Sequence, residues 1–207
     1  MFFLFLLSIV RSEVSFDDIT LTITGTVTIH SSLVSSYNTA RALDIQSTDG
    51  ITVQSSAFSN FASLENISMK ATNQINIDST SFNGCNSIKN VNFDAPSFHI
   101  GKDTFSIATT KINVKYVVNN FNSDLTSISQ KIGELNVQAK EACLFDIEAA
   151  VKSEVDSIII NANTVNFGQK SFFESRSIKK FEVHALETII IDISAFEKAQ
   201  IEDIYFT

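Results

Sequence analysis

The sequence predicts a mainly-β repeat solenoid of about eight coils, each 21–24 residues long. Three observations carry that prediction. Two stretches about 24 residues apart, SAFSNFASLENISM from Ser56 and TSFNGCNSIKNVNF from Thr80, superpose aromatic on aromatic and aliphatic on aliphatic. An aromatic taken as position zero recurs at Phe58, Phe82, Phe105, Phe172 and Phe196, with Val34, Thr126 and Ala149 in weaker copies. Each copy carries two period-two apolar pairs, the pattern of strands.

The elements follow in chain order. Phe2–Val10 is an apolar run of leader length and too short to span a bilayer. Residues 1–12 therefore read as a signal peptide cleaved after Ser12, although the only nearby cation, Arg11, follows the run. A buried N-terminal strand is the competing reading. Residues 13–26, with Ile19, Leu21 and Ile23, form a lead-in strand or cap, and residues 27–207 form the solenoid.

Within the solenoid, the pair seven and five residues before zero is Val27/Ile29, Ile51/Val53, Ile75/Ile77, Phe98/Ile100, Val165/Phe167 and Ile189/Ile191. It degrades to Asn119/Phe121 and Ala142/Leu144 in the weak copies. The pair nine and eleven residues after zero is Leu43/Ile45, Ile67/Met69, Val91/Phe93, Val114/Tyr116, Leu135/Val137, Ile158/Ile160 and Phe181/Val183, ending in Ile204/Phe206. Position plus six is usually aliphatic (Leu64, Ile88, Ile132, Val155, Ile178), and Lys111 breaks it. One coil cannot bury its own apolar face, so coils must stack, and each buried Phe contributes about 1.5–3 kcal/mol. The spacing predicts one long sheet and one weaker one rather than the three sheets of a parallel β-helix.

If positions plus nine and plus eleven face the core, plus eight and plus ten face solvent. The first row is Asn66, Asn90, Asn113, Glu134, Ser157 and Lys180. The second is Asp44, Ser68, Asn92, Lys115, Asn136, Ile159 and Glu182, with Tyr205 in the last copy. This Asn-rich wall of mixed charge suits a protein or glycan ligand better than a reaction centre. Stacked Asn side chains bonding one another along a ladder are the plainer reading. Asn66-Ile67-Ser68 is a glycosylation sequon, awkwardly placed within a predicted strand.

Composition excludes several functions. A net charge of −8 without a basic stripe disfavours nucleic acid. Cys85 and Cys143 occur in dissimilar contexts and read as buried small apolar residues. His30, His99 and His184 lie in different coils, and no nucleophile motif, phosphate loop or metal-ligand spacing accompanies them. No enzyme activity, cofactor or metal is expected, and no second apolar stretch is long enough to anchor the mature chain.

ITVQSSAFSNFASLENISM from Ile51, INIDSTSFNGCNSIKNVNF from Ile75 and VNFGQKSFFESRSIKKFEV from Val165 resemble the unit of BspA-type (Treponema-type) leucine-rich repeats. Cys85 occupies the family's Cys slot, filled by Phe61 and Ser175 elsewhere, and the resemblance covers about Val27 to Phe206. It implies a curved solenoid with a parallel sheet on the concave side. It also implies a secreted or cell-surface recognition or adhesion module whose ligand, host surface or matrix included, binds the concave face. A parallel β-helix carbohydrate-active enzyme is the alternative from another class. A structural solenoid associating end to end through Ile204 and Phe206 is a third reading.

Overall fold

A computed structural model describes residues 12–101, 104–105, 111–123, 131–146, 149–150 and 153–207. The predicted leader, apart from Ser12, and position zero of the Thr126 copy lie outside these residues. The strands are β1 (Glu13–Phe16), β2 (Thr20–Thr24), β3 (Val27–Ile29), β4 (Ala42–Ser47), β5 (Ile51–Val53), β6 (Asn66–Ala71) and β7 (Gln74–Ile77). They continue as β8 (Asn90–Asp94), β9 (Ser97–Ile100), β10 (Ile112–Ser123), β11 (Lys131–Phe145), β12 (Glu154–Phe167), β13 (Ile178–Ile191) and β14 (Ile201–Phe206). Among the described residues, helix is confined to single turns at Ser31–Val34 and Ser35–Tyr37.

The chain is a solenoid of about seven turns, close to the count from the repeat. A ten-stranded sheet runs β1-β2-β4-β6-β8-β10-β11-β12-β13-β14, and a four-stranded sheet runs β3-β5-β7-β9. Every pairing is parallel except that of β1, which closes the head antiparallel on β2. The predicted ladder is followed rung by rung: Leu21, Leu43, Ile67, Val91, Val114, Leu135, Ile158, Phe181 and Ile204 stand in one register. These side chains are buried up to Phe181, and Ile204 is exposed.

The aromatic slot stacks as the repeat requires. Phe58 and Phe82 lie 5.1 Å apart at 5°, Phe82 and Phe105 5.1 Å apart at 20°, and Phe172 and Phe196 5.5 Å apart at 13°. Such pairs add about 0.5–1.5 kcal/mol beyond area burial. Even the turns between strands ladder between coils. Phe58 N–H donates to the Ser81 carbonyl at 2.9 Å, and Asn60 N–H donates to the Asn83 carbonyl at 2.9 Å. The same bonds recur from Phe172 to Ala195 and from Glu174 to Glu197, so backbone groups that would otherwise be orphaned are paired. The geometry requires a left-handed residue two positions before zero (Ser56, Thr80, Lys170, Ser194) and two after (Asn60, Gly84, Glu174, Lys198). Glycine fills only one of these eight.

Three register readings are corrected. Ile112, fully buried and paired with Ile132, fills the aliphatic slot assigned to position 111, while Lys111 turns outward to Asp156. Cys143 and Phe145, not Ala142 and Leu144, face the core, paired with Val165 and Phe167. Position zero of that coil is Ala150 rather than Ala149, since Ala150 N–H donates to Ser171 as Phe58 does to Ser81. The cause is a bulge: between their shared pairs β11 takes four steps from Gln138 to Ala142 where β12 takes three from Asn161 to Thr164. The interval from Ala150 to Val155 is one residue shorter than that from Phe172 to Ile178, which restores the register, so the average spacing conceals both events.

The four-stranded sheet ends at β9, and the corners change there. Early corners carry Ser47-Thr48-Asp49-Gly50, where Ser47 Oγ donates to the Gly50 carbonyl and accepts from Asp49 N–H, and later Ala95-Pro96. From β10 onward the corners lack Gly and Pro, and both apolar pairs ride on single bent strands of 12–15 residues. At the far end, β14 has no neighbour on its outer side among the described residues. Ile190, Ile193, Ile204 and Phe206 are exposed there.

Candidate functional site

The outward rows fall where alternation puts them, on the solvent face of the ten-stranded sheet, but they behave differently. In the plus-eight row, Asn90 Nδ2 donates to Asn66 Oδ1 at 2.8 Å, and Asn113 Nδ2 donates to Asn90 Oδ1 at 3.1 Å. Glu134 N–H then donates to Asn113 Oδ1 at 3.1 Å, closing the ladder. Gly133 permits this ending, since a Cβ there would meet Asn113 Oδ1 at 2.6 Å. Asn90 and Asn113 therefore have both side-chain amide atoms engaged, and Asn66 has its carbonyl engaged. Asn66, the sequon residue, is exposed but engaged through its side-chain carbonyl.

The plus-ten row is less satisfied. Asp44, Ser68, Asn92, Lys115, Asn136, Ile159, Glu182 and Tyr205 stand in register across β4 to β14. Asn92 Oδ1 and Asn136 Oδ1 are shielded from solvent and have no partner. Lys115, exposed between them, forms no ion pair among the described residues. A shallow pocket of about 140 Å³ opens here, lined by Asn90, Asn92, Asn113, Lys115 and Glu134 with Val91 and Val114 beneath. Unpartnered buried carbonyls cost about 1–3 kcal/mol each, a cost that a hydrogen-bond donor placed against them would relieve. Farther along, Lys180 pairs with Glu182, and Glu182 Oε1 also lies 3.0 Å from His184 Nε2. Lys180 first and His184 second hold the Glu182 carboxyl below its ordinary pKa.

A third row was not anticipated. Glu65 sits between Arg41 and Lys89, one coil away on either side, with Lys89 Nζ at 2.7 Å. Hydrogen bonds from Lys89 and then Arg41 push its carboxyl down to about 2. Asp156 takes Lys111 at 2.7 Å and Lys179 at 3.7 Å in the same way, and the Lys111 bond chiefly lowers its pKa. The sequence signal was present as alternating charge one residue before the Asn row. These exposed pairs fix register more than stability.

The remaining candidates are structural. Cys85 is buried and its thiol donates to the Phe58 carbonyl at 3.1 Å, while Ser175 makes the corresponding bond to the Ala150 carbonyl at 2.7 Å. That is the packing role assigned to the slot. Burial pushes the Cys85 thiol up to about 12 and raises Cys143 as well, and both are free thiols. Among the described residues no three His, Cys, Asp or Glu side chains converge, and no helix is long and apolar enough to cross a membrane.

The family model of the BspA type leucine rich repeat region matches residues 12–141 and 148–207 in six copies. No curated protein and no solved structure matches the chain. Proteins of this repeat type are commonly surface proteins engaged in adhesion or binding, and the fold is typically non-catalytic. With its stacked aromatic slot, its parallel rungs and matches over most of its length, the chain belongs to the BspA-type leucine-rich repeat family.

Proposed function

We propose that this chain is a non-catalytic recognition module, secreted or held at a cell surface after loss of residues 1–12. It binds a protein or glycan ligand through the outer face of the ten-stranded sheet. One observation carries the reading: Asn92 and Asn136 keep unpartnered, shielded carbonyl oxygens on either side of an unpaired Lys115. The neighbouring Asn66–Asn90–Asn113 ladder is bonded along its length and serves as its support. Glu134, Ser68, Lys180 and Glu182 extend the face, and Asn66 lies at its edge, with only its side-chain carbonyl engaged in the ladder.

Binding of the purified chain to matrix proteins, host cells and glycan arrays tests this. Asn92→Ala, Lys115→Ala and Asn136→Ala should each weaken binding about tenfold, a loss of about 1.4 kcal/mol. Unchanged binding in all three overturns the site. A second reading, end-to-end self-association, is favoured by the exposed Ile190, Ile193, Ile204 and Phe206 around the unpaired side of β14. Light scattering over a concentration series should show assembly that Phe206→Lys abolishes.

A further inference from the structure

A second surface lies around the corner from Lys115. Where β10 to β13 bend, a groove of about 630 Å³ crosses all four strands, and an adjoining hollow of about 220 Å³ carries it on past Asp94 at β8. The main groove falls within the roughly 300–1,000 Å³ of ordinary ligand clefts. Its floor is Val118, Ala139 and Ala162, each less than one-tenth exposed. Longer side chains rise on both sides: Gln138 and Asn161 on one, Lys140 and Asn163 on the other. Leu186, 85% exposed, closes one end. The bulges at Ala139–Ala142 and Ala185–Thr188 create the space, because they turn the strand away where small residues let coils approach.

None of Gln138, Lys140, Asn161 and Asn163 has a hydrogen-bond or ion-pair partner among the described residues. The outward amides of Asn66, Asn90 and Asn113, by contrast, bond one another. The main groove contains Lys140 and His184 and no carboxylate, on a chain of net charge −8. The geometry points to a groove for an extended, acidic and apolar segment of a partner protein, laid along the solenoid axis. Side-chain amides each offer a donor and an acceptor, the pair that an extended backbone presents. Aliphatic Val117, Val118 and Leu186 take apolar side chains, and Lys140 takes a carboxylate. No Phe, Tyr or Trp lines the groove to stack on a sugar face. Four rungs spaced about 4.8 Å span about 14 Å, the reach of about four extended residues at roughly 3.3 Å each.

This inference rests on the recognition reading but not on the Lys115 site. Random 12-residue peptides displayed on phage are selected on the full chain. Enriched sequences are then synthesised with a fluorescent label and titrated by anisotropy. Selection should yield peptides mixing acidic and apolar residues. Asn161→Trp, which blocks the groove, and Lys140→Glu, which reverses its charge, should each weaken them at least tenfold. Lys115→Ala should change them less than twofold. Circular dichroism checks that each variant is folded. Failure to enrich any peptide, or full retention by Asn161→Trp and Lys140→Glu, overturns the proposal. So does a saccharide on a glycan array whose binding Asn161→Trp abolishes, since the occupant is then a glycan. Loss of binding only in Lys115→Ala leaves the outer-face reading standing and removes this one.

Discussion

Tyr116→Phe should stabilise the protein. Tyr116 is fully buried, and its hydroxyl has no hydrogen-bond partner. Its ring lies 4.6 Å from Phe98, 5.1 Å from Phe121 and 5.4 Å from Phe93. Phenylalanine keeps all three contacts, so the substitution isolates the hydroxyl. A buried hydroxyl without a partner costs about 1–3 kcal/mol. For a chain of this size that corresponds to a rise in Tm of about 3–9 °C, at roughly 3 °C per kcal/mol. Urea and thermal unfolding followed by circular dichroism read the effect. The pH dependence provides an internal control. Burial holds the phenol well above its ordinary pKa. The unfolded phenol ionises near pH 10 and the folded one does not, so this group's contribution is intact below pH ~10 and lost as pH rises above it. The phenylalanine variant should lack that alkaline component. A variant less stable than the parent by about 1 kcal/mol or more would refute the reasoning, because the hydroxyl must then be partnered.

Ser171→Ala should be neutral or stabilising by about 1 kcal/mol, whereas Ser81→Ala in the same slot should cost about that much. Ser171 Oγ is buried and unpartnered, while Ser81 Oγ lies within bonding distance of the Val53, Gln54 and Asp78 carbonyls. Thr80→Gly relieves a β-branched residue at φ 64° and should raise stability by about 1 kcal/mol in chemical denaturation. Gly133→Ala should displace Asn113 from Glu134 N–H, detectable as faster amide exchange at Glu134. Glu65 should titrate near 2 by NMR, and Arg41→Ala with Lys89→Ala should return it toward 4.5. Its folded pKa is depressed, so its contribution is present above pH ~4.5 and lost as pH falls toward ~2.

Much of this architecture is written in the repeat. Leu43, Ile67, Val91 and their successors share a phase, and phase alone places them in one dry column. The outward rows then follow by alternation, Lys115 and its flanking asparagines included. Other features carry no such mark. The left-handed positions are held by Ser, Thr, Asn, Glu and Lys, imposed by contacts between coils, so the usual glycine signal appears only at Gly84. The slip to Cys143 and Phe145 is invisible because an added residue and a missing one leave the spacing between copies near 23. The groove is equally silent: Ala139 and Ala162 look like ordinary core alanines until the strand bends around them. Which asparagines are saturated and which are free depends on facing geometry at a few ångströms, below what spacing resolves.

The paired slip in β11 and the turn after Ala150 bears on how such a chain can change over time. A lone insertion or deletion within a strand would throw the side chains that follow it there onto the wrong face. Two opposite length changes within one revolution leave the rest of the molecule untouched. Within strands such changes are tolerated in compensating couples, whereas turns absorb the difference between revolutions such as Leu43 to Ile67 and Val114 to Leu135. The corner between Val118 and Leu186 holds the added residue of that couple, and there new surface can arise without disturbing the column beneath it.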